Sequence, residues 1–213
     1  MATRESRLRG LQTAPGQGRE SDTGSARAAI LATARQLFSS QGYSSTSIAD
    51  IVAAAGTSVG LPYYYFGSKS NIFLAIYREY QVRQRARTTG AVLSAQAEGV
   101  AGVDLLAVGV RAYLEGAWVD REIIPLIHGR DVPSDLQTTM ESQAERWSEK
   151  MLRLLPEVDE RAAKRSLILL SDALSAACLR LARCSSESEA AEWADLAVNM
   201  TRSLLRTLEI NAG

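Results

Sequence analysis

"GYSSTSIADIVAAAGTSVGLPYYYFGSKSNIF", residues 42–73, decides how this chain is to be read. Ile48, Ile51, Val52 and Ala55 fall at i, i+3, i+4 and i+7, which is one apolar face of a short helix. Thr46 or Ser47 marks its start, and Ser47 with Asp50 has the spacing of a capping box. Gly56 ends it, and Thr57-Ser58 offers a fresh N-cap at once, so a second helix is expected from Ser58 to Tyr64. Two short helices joined by about three residues around a glycine form a helix-turn-helix plan, whose second helix enters the major groove of DNA.

The flanks agree. Upstream, Ile30, Ala34, Leu37 and Phe38 mark a helix that Gly42 stops. Beyond Ser68 a longer helix carries Ile72, Phe73, Ile76, Tyr77 and Tyr80 on one side and runs out through Arg83, Arg85 and Arg87. Further helices are expected over 102–118, 121–129 and 134–155, then as two long segments on either side of "CSSESE". No alternating strand is found, so the expected class is all-α. Residues 1–24, poor in large apolar side chains, are expected to be a disordered basic arm. Residues 25–70 are expected to form the helix-turn-helix domain, and 71–213 a further helical domain.

Zero net charge hides an asymmetry: residues 1–90 hold 11 Lys and Arg against 5 Asp and Glu, and the remainder holds 13 against 19. The first part suits a polyanion and the second does not. No apolar run reaches the ~18 residues of a membrane span, and no secretory h-region follows the first basic residues. Two cysteines, Cys178 and Cys184, are too few for a disulfide framework, and a cytoplasmic protein is expected. His128, the one histidine, leaves no His-pair metal site, and neither a phosphate-binding loop nor a dinucleotide fingerprint occurs, so no cofactor is expected.

Residues 56–60, "GTSVG", match the G-x-S-x-G nucleophile elbow, with Ser58 as nucleophile, His128 as base and Asp104 or Asp120 between them. That elbow needs a strand running into the serine, and "SIADIVAAA" has helical period instead. Within the helix-turn-helix reading, Thr57, Ser58, Tyr63 and Tyr64 can donate to phosphates, and Tyr63 and Phe66, three apart, share a face, so that at least one of them packs inward. Lys69 follows the N-cap candidate Ser68 and opposes the helix dipole by about 0.3–1 kcal/mol. Either a phosphate at that helix start turns the cost into a gain, or the lysine is simply solvated.

This stretch resembles the DNA-binding signature of the TetR family of bacterial transcriptional regulators, in Gly42-Tyr43, Thr46-Ser47, Ile48, Ile51, Ala55-Gly56, Ser58, Gly60, Tyr63, Phe66, Ser68-Lys69 and Ile72. The resemblance implies a homodimeric regulator, usually a repressor, that leaves its operator when a small molecule binds the core. It implies phosphate contacts from Thr46 or Ser47, Tyr63, Tyr64 and Lys69, and base edges facing Ser58, Val59, Gly60 and Leu61. Pro62 departs from the family pattern and is expected to shorten or distort the recognition helix. Tyr64 and Tyr65 replace more polar residues. With no Arg, Asn or Gln on that helix, readout is expected to lean on thymine methyls, tyrosine hydroxyls and DNA shape. Arg4, Arg7 and Arg9 of the arm are expected to track the backbone or minor groove.

For the effector, Tyr113, Trp118, His128 and Trp147 are the candidate pocket residues, with ordinary packing between helices as the alternative for each. For the dimer, the last two helices carry the stripes Leu167, Leu170, Leu174, Cys178, Leu181 and Trp193, Ala197, Met200, Leu204, which are expected to pair across a twofold axis as a four-helix bundle. An effector-independent DNA-binding protein and a serine hydrolase acting through Ser58 are the competing readings.

Overall fold

A computed structural model describes residues 17–153 and 159–210, and among them every regular element is an α-helix. The order is α1 (Gln17–Gln41), α2 (Ile48–Ala55), α3 (Gly60–Phe66), α4 (Lys69–Ala97), α5 (Gly102–Val119), α6 (Ile124–His128), α7 (Ser134–Leu152), α8 (Glu160–Leu181) and α9 (Glu187–Ile210). The all-α expectation holds. The arm does not reach to residue 24, because α1 is already helical from Gln17. Arg4, Arg7 and Arg9 lie outside the described residues, as does Leu155, where the helix now bounded as α7 was expected to end.

Local chemistry sets the boundaries. Gly42, at φ +92, takes the chain out of α1, since a left-handed residue cannot continue a helix. Ser47 caps α2 in a complete capping box: its hydroxyl accepts from Asp50 N, and the Asp50 carboxylate accepts from Ser47 N. The Ser47 hydroxyl also donates to the Asp50 carboxylate at 2.7 Å, and this bond with the one from Ser47 N holds the Asp50 carboxyl below its ordinary pKa. Ser68 caps α4 by accepting from Asn71 N, and Asp159 caps α8 by accepting from Ala162 N.

Between the N-terminal helices and the rest, α4 is shared. Its first turns bury Ile72, Phe73 and Ile76 in the cluster that holds Ile30, Ala34 and Phe38, and the Phe38 and Phe73 rings lie 6.4 Å apart. The expected boundary at residue 70 therefore falls within the second residue of a continuous helix. Beyond those turns α4 lies along α5. Nine residues of α5 are buried, among them Val103, Leu106, Val110 and Leu114, as befits a helix enclosed by α4, α8 and α9.

The α4–α5 approach depends on Gly116. A Cβ there meets the Gln84 amide oxygen well inside contact distance and Arg87 Cδ at 3.1 Å. Beside it, Asp120 at the end of α5 takes Arg83 at 3.1 Å and Arg87 at 2.6 Å, its own side chain only 14% exposed. Gly90, also on α4, is exposed, and a Cβ there meets nothing within 4 Å. The two glycines therefore respond to alanine with opposite signs. In urea denaturation, Gly116→Ala loses about 1–3 kcal/mol through overpacking, and Gly90→Ala gains up to about 1 kcal/mol through helix propensity.

Candidate nucleic-acid interface

The turn from α1 into α2 and the start of α4 are fastened by Lys69. Its ammonium donates to Tyr43 O at 2.9 Å and to Thr46 O at 2.8 Å, and it sits 4.2 Å from the centre of the Tyr43 ring. Two of its three N–H bonds are thus spent inside the protein, and the dipole penalty at the start of α4 is offset by carbonyl oxygens rather than by a phosphate. Neither of the two expectations for Lys69 describes this. Thr46 is corrected as well: it is 1% exposed and its hydroxyl donates to Gly42 O at 2.8 Å, which leaves nothing to offer a phosphate. Ser47 is exposed, but its side chain is committed to the capping box.

The linker and α3 present a different chemistry. Gly56, at φ +62, ends α2 in a left-handed cap and turns the chain toward α3. The Thr57 hydroxyl oxygen is buried without a hydrogen-bond partner, so it faces neither solvent nor a phosphate. Ser58 does not cap α3 through its side chain; its carbonyl accepts from Leu61 N at 3.1 Å, and α3 runs from Gly60 to Phe66 rather than from Ser58 to Tyr64. Pro62 does not distort it. It falls in the first turn, where its missing N–H has no intrahelical acceptor to lose, and the ring is buried. Pro62 and Phe66, one turn apart, form the inward face, and Leu61 is half-buried against the core.

The opposite face is open: Val59 is 66% exposed, Tyr63 53% and Tyr64 79%, with Ser58 and Gly60 beside them. The shared face expected of Tyr63 and Phe66 resolves in favour of Phe66 as the buried one. Of the ten expected DNA-facing residues, Ser47, Ser58, Val59, Gly60, Tyr63 and Tyr64 lie on the surface. Thr46 and the Thr57 hydroxyl do not, and Lys69 and Leu61 are half-buried. As for a nucleophile elbow, Ser58 stands between two helices. His128 Nε2 is engaged elsewhere.

That engagement gathers part of the expected pocket. His128, on α6, has Nε2 3.2 Å from the Tyr113 hydroxyl and 3.4 Å from that of Tyr80. The Gln84 amide donates to the Tyr80 hydroxyl at 3.0 Å, while its oxygen, against Gly116, meets no donor. Burial depresses the His128 pKa to about 4, so its ring is neutral at pH 7. Desolvation also pushes both tyrosines up and the neighbouring Cys178 thiol to about 12. Trp118 carries the Arg121 guanidinium over its ring at 4.5 Å, and Trp147 packs half-buried against the core. Tyr80 and Gln84 were missed as site residues. The available signal was a glutamine one turn beyond Tyr80, on the buried side of α4.

The segment after His128 returns to the first site. Asp131 accepts from Ser44 N at 3.0 Å and from the Ser44 hydroxyl, which holds its carboxyl below the ordinary pKa. Asp135 accepts from Ser70, whose oxygen also lies 3.2 Å from the Tyr43 hydroxyl. These contacts join the α6–α7 linker and the first turn of α7 to the turn and helix start that Lys69 fastens.

The expected dimer stripe on α8 is corrected. Leu167, Leu170, Leu174, Cys178 and Leu181 are each at most 6% exposed within the single chain, because the strongest apolar stripe of α8 serves its own core. Leu169, at 67%, and Ile168 point away from it. On α9 the reading fares differently: Trp193, Met200 and Leu204 are exposed with Leu196, while Ala197 is partly buried.

Residues 30–76 match the family model for bacterial regulatory proteins of the tetR family. The HTH-type transcriptional regulator AcrR of Shigella flexneri is 39% identical over 72 residues, 30% of this chain, and the match spans only 34% of that relative. A TetR-like transcriptional regulator from Rhodococcus sp. RHA1 superposes with a TM-score of 0.63 at 23% identity, over 84% of this chain and 93% of that one. A TetR-family transcriptional regulator from Pectobacterium atrosepticum gives 0.55 at 25% identity, over 88% and 96%. Such likenesses establish a common fold across nearly the whole length.

Two measurements check this geometry. Lys69→Met strands two carbonyls, and in the absence of DNA it lowers stability by about 1–3 kcal/mol in a thermal melt; a lysine serving only phosphates leaves that melt unchanged. His128 has a folded pKa of about 4, below the ordinary value of 6.5. The unfolded chain therefore binds the proton first as pH falls, and stability is lost from pH 6.5 down toward pH 4 and is level above. The loss approaches about 3 kcal/mol. Denaturation of wild type and His128→Gln at pH 7 and pH 4.5 isolates this contribution from the acid sensitivity of the carboxylates.

Proposed function

We propose that this chain, whose residues 30–76 match the family model for bacterial regulatory proteins of the tetR family, is a DNA-binding transcriptional regulator of that family. It acts as a homodimer on an inverted-repeat operator, as a repressor released by a small molecule. The observation that carries this reading is the open, uncharged face of α3, held out by buried Pro62 and Phe66 and backed by the Lys69 clasp. A structural helix has no reason to expose Val59, Tyr63 and Tyr64 together. The excess of positive charge over residues 1–90 supplies attraction to the duplex.

The effector binds beside Tyr113 and His128, where the network of Tyr80, Gln84 and His128 offers polar groups inside apolar surroundings. The Asp131–Ser44 and Asp135–Ser70 contacts give a change there a physical route to the DNA-facing turn. Dimerisation uses the outward faces of α8 and α9: Leu169, Trp193, Leu196, Met200 and Leu204, an apolar surface that a partner helix pair covers.

Selection of fragments of the source genome by the purified protein, followed by sequencing, tests the reading. Inverted repeats are enriched, and affinity for them falls steeply with salt. Met200→Glu, at an exposed position, leaves the helical content unchanged by circular dichroism, converts the dimer to a monomer in light scattering and weakens operator binding at least tenfold. Failure to enrich any site removes the regulator assignment.

A further inference from the structure

Among the described residues, Lys69, Asn71 and Arg27, which flank or touch α3, are engaged by the protein itself. Residues 57–67 contain no Arg, Lys, Asn, Gln, Asp or Glu. Lys69 spends two donors on Tyr43 O and Thr46 O, and the Asn71 amide donates to Phe66 O at 2.7 Å. The Arg27 guanidinium lies 5.1 Å from the centre of the Phe66 ring. By helical period Val59, Gly60, Tyr63 and Tyr64 share the face opposite Pro62 and Phe66. Gly60 is not demanded by its own chain: its φ is not positive, and a Cβ there meets nothing within 4 Å. The missing side chain therefore leaves a notch beside Val59 that a partner surface can enter.

Such a face can distinguish little in a major groove. Guanine and adenine are read by bidentate donors and acceptors, and a tyrosine hydroxyl provides a single point. The one apolar feature that base pairs present there is the C5-methyl of thymine. Resting on the regulator reading above, we propose that Val59, the Gly60 notch and the Tyr63 and Tyr64 rings read thymine methyl groups. Val59 is then the specificity-determining residue, and the operator half-site carries thymines, not guanines, at the positions under α3.

The experiment uses the full-length protein and an operator recovered by genomic selection. Each thymidine of the half-sites is replaced in turn by deoxyuridine, which removes the methyl and keeps every Watson–Crick edge. At one or more positions per half-site the affinity drops, by roughly fourfold for each methyl lost. At such a position 5-methylcytosine binds more tightly than cytosine. Val59→Ala lowers affinity for the thymine operator by more than for the uracil operator, so the thymine-to-uracil ratio moves toward one, a change that a merely structural valine does not produce. Equal binding of thymine and uracil operators at every position overturns this proposal and leaves the regulator reading standing. If no fragment is enriched at all, both fall.

Discussion

An ammonium group held between two backbone carbonyls organises the N-terminal third of this protein. Tyr43 O and Thr46 O belong to the turn that leaves α1 and enters α2, and a turn of this kind has carbonyls that no helix satisfies. Lys69 supplies the donors from the first residue of α4, while the Tyr43 ring closes over the charge. The tie fixes where α2 begins relative to α4, and α3 is strung between those two helices on short linkers. The clasp thus places the two helices between which α3 is strung, and buried Pro62 and Phe66 then seat α3 against the core. Thr46, buried with its hydroxyl on Gly42 O, serves the same turn.

A second constraint lies deeper and has the opposite character. Along the α4–α5 seam, glycine lets Gln84 and Arg87 approach, and the space is filled with polar groups: two phenols, an imidazole, an amide and a thiol. Burying these groups costs free energy that hydrogen bonds only partly offset, and the Gln84 oxygen is left over. Apolar side chains of the same shape avoid that desolvation cost. The seam therefore stands out as a place where stability has been given up, which is why the proposed effector site is put there and not elsewhere in the core.

Much of this was legible in the sequence, and the failures have identifiable causes. Caps and glycines located α2, the end of α1 and the start of α4, because backbone chemistry at helix ends is local and residue-specific. Pro62 misled because its effect depends on position within a turn: harmful in a helix interior, harmless in the first turn. Lys69 and Thr46 misled because their partners are carbonyls, which every residue possesses and no sequence pattern marks. The α8 stripe misled for a different reason. Periodicity reports that a face is buried but not against what, and its own core had the stronger claim on Leu167, Leu170 and Leu174. Exposed Leu169 and Ile168, only two positions outside the regular period, were the quieter signal.

The continuity of α4 has a mechanical consequence. Its 29 residues form one rod, about 43 Å long at the usual rise per residue. One end carries the Ser68 cap and the Lys69 clasp, and the other lies along α5 past Gln84 and Arg87. For a rod of that length, a tilt of about five degrees about one end displaces the other by nearly 4 Å, close to the rise of about 3.4 Å between successive base pairs. A tilt that moves the seam little is thereby magnified at the far end of the rod to the scale of one base-pair step. In the proposed dimer, two copies of α3 set to a fixed separation have no tolerance for an error of that size.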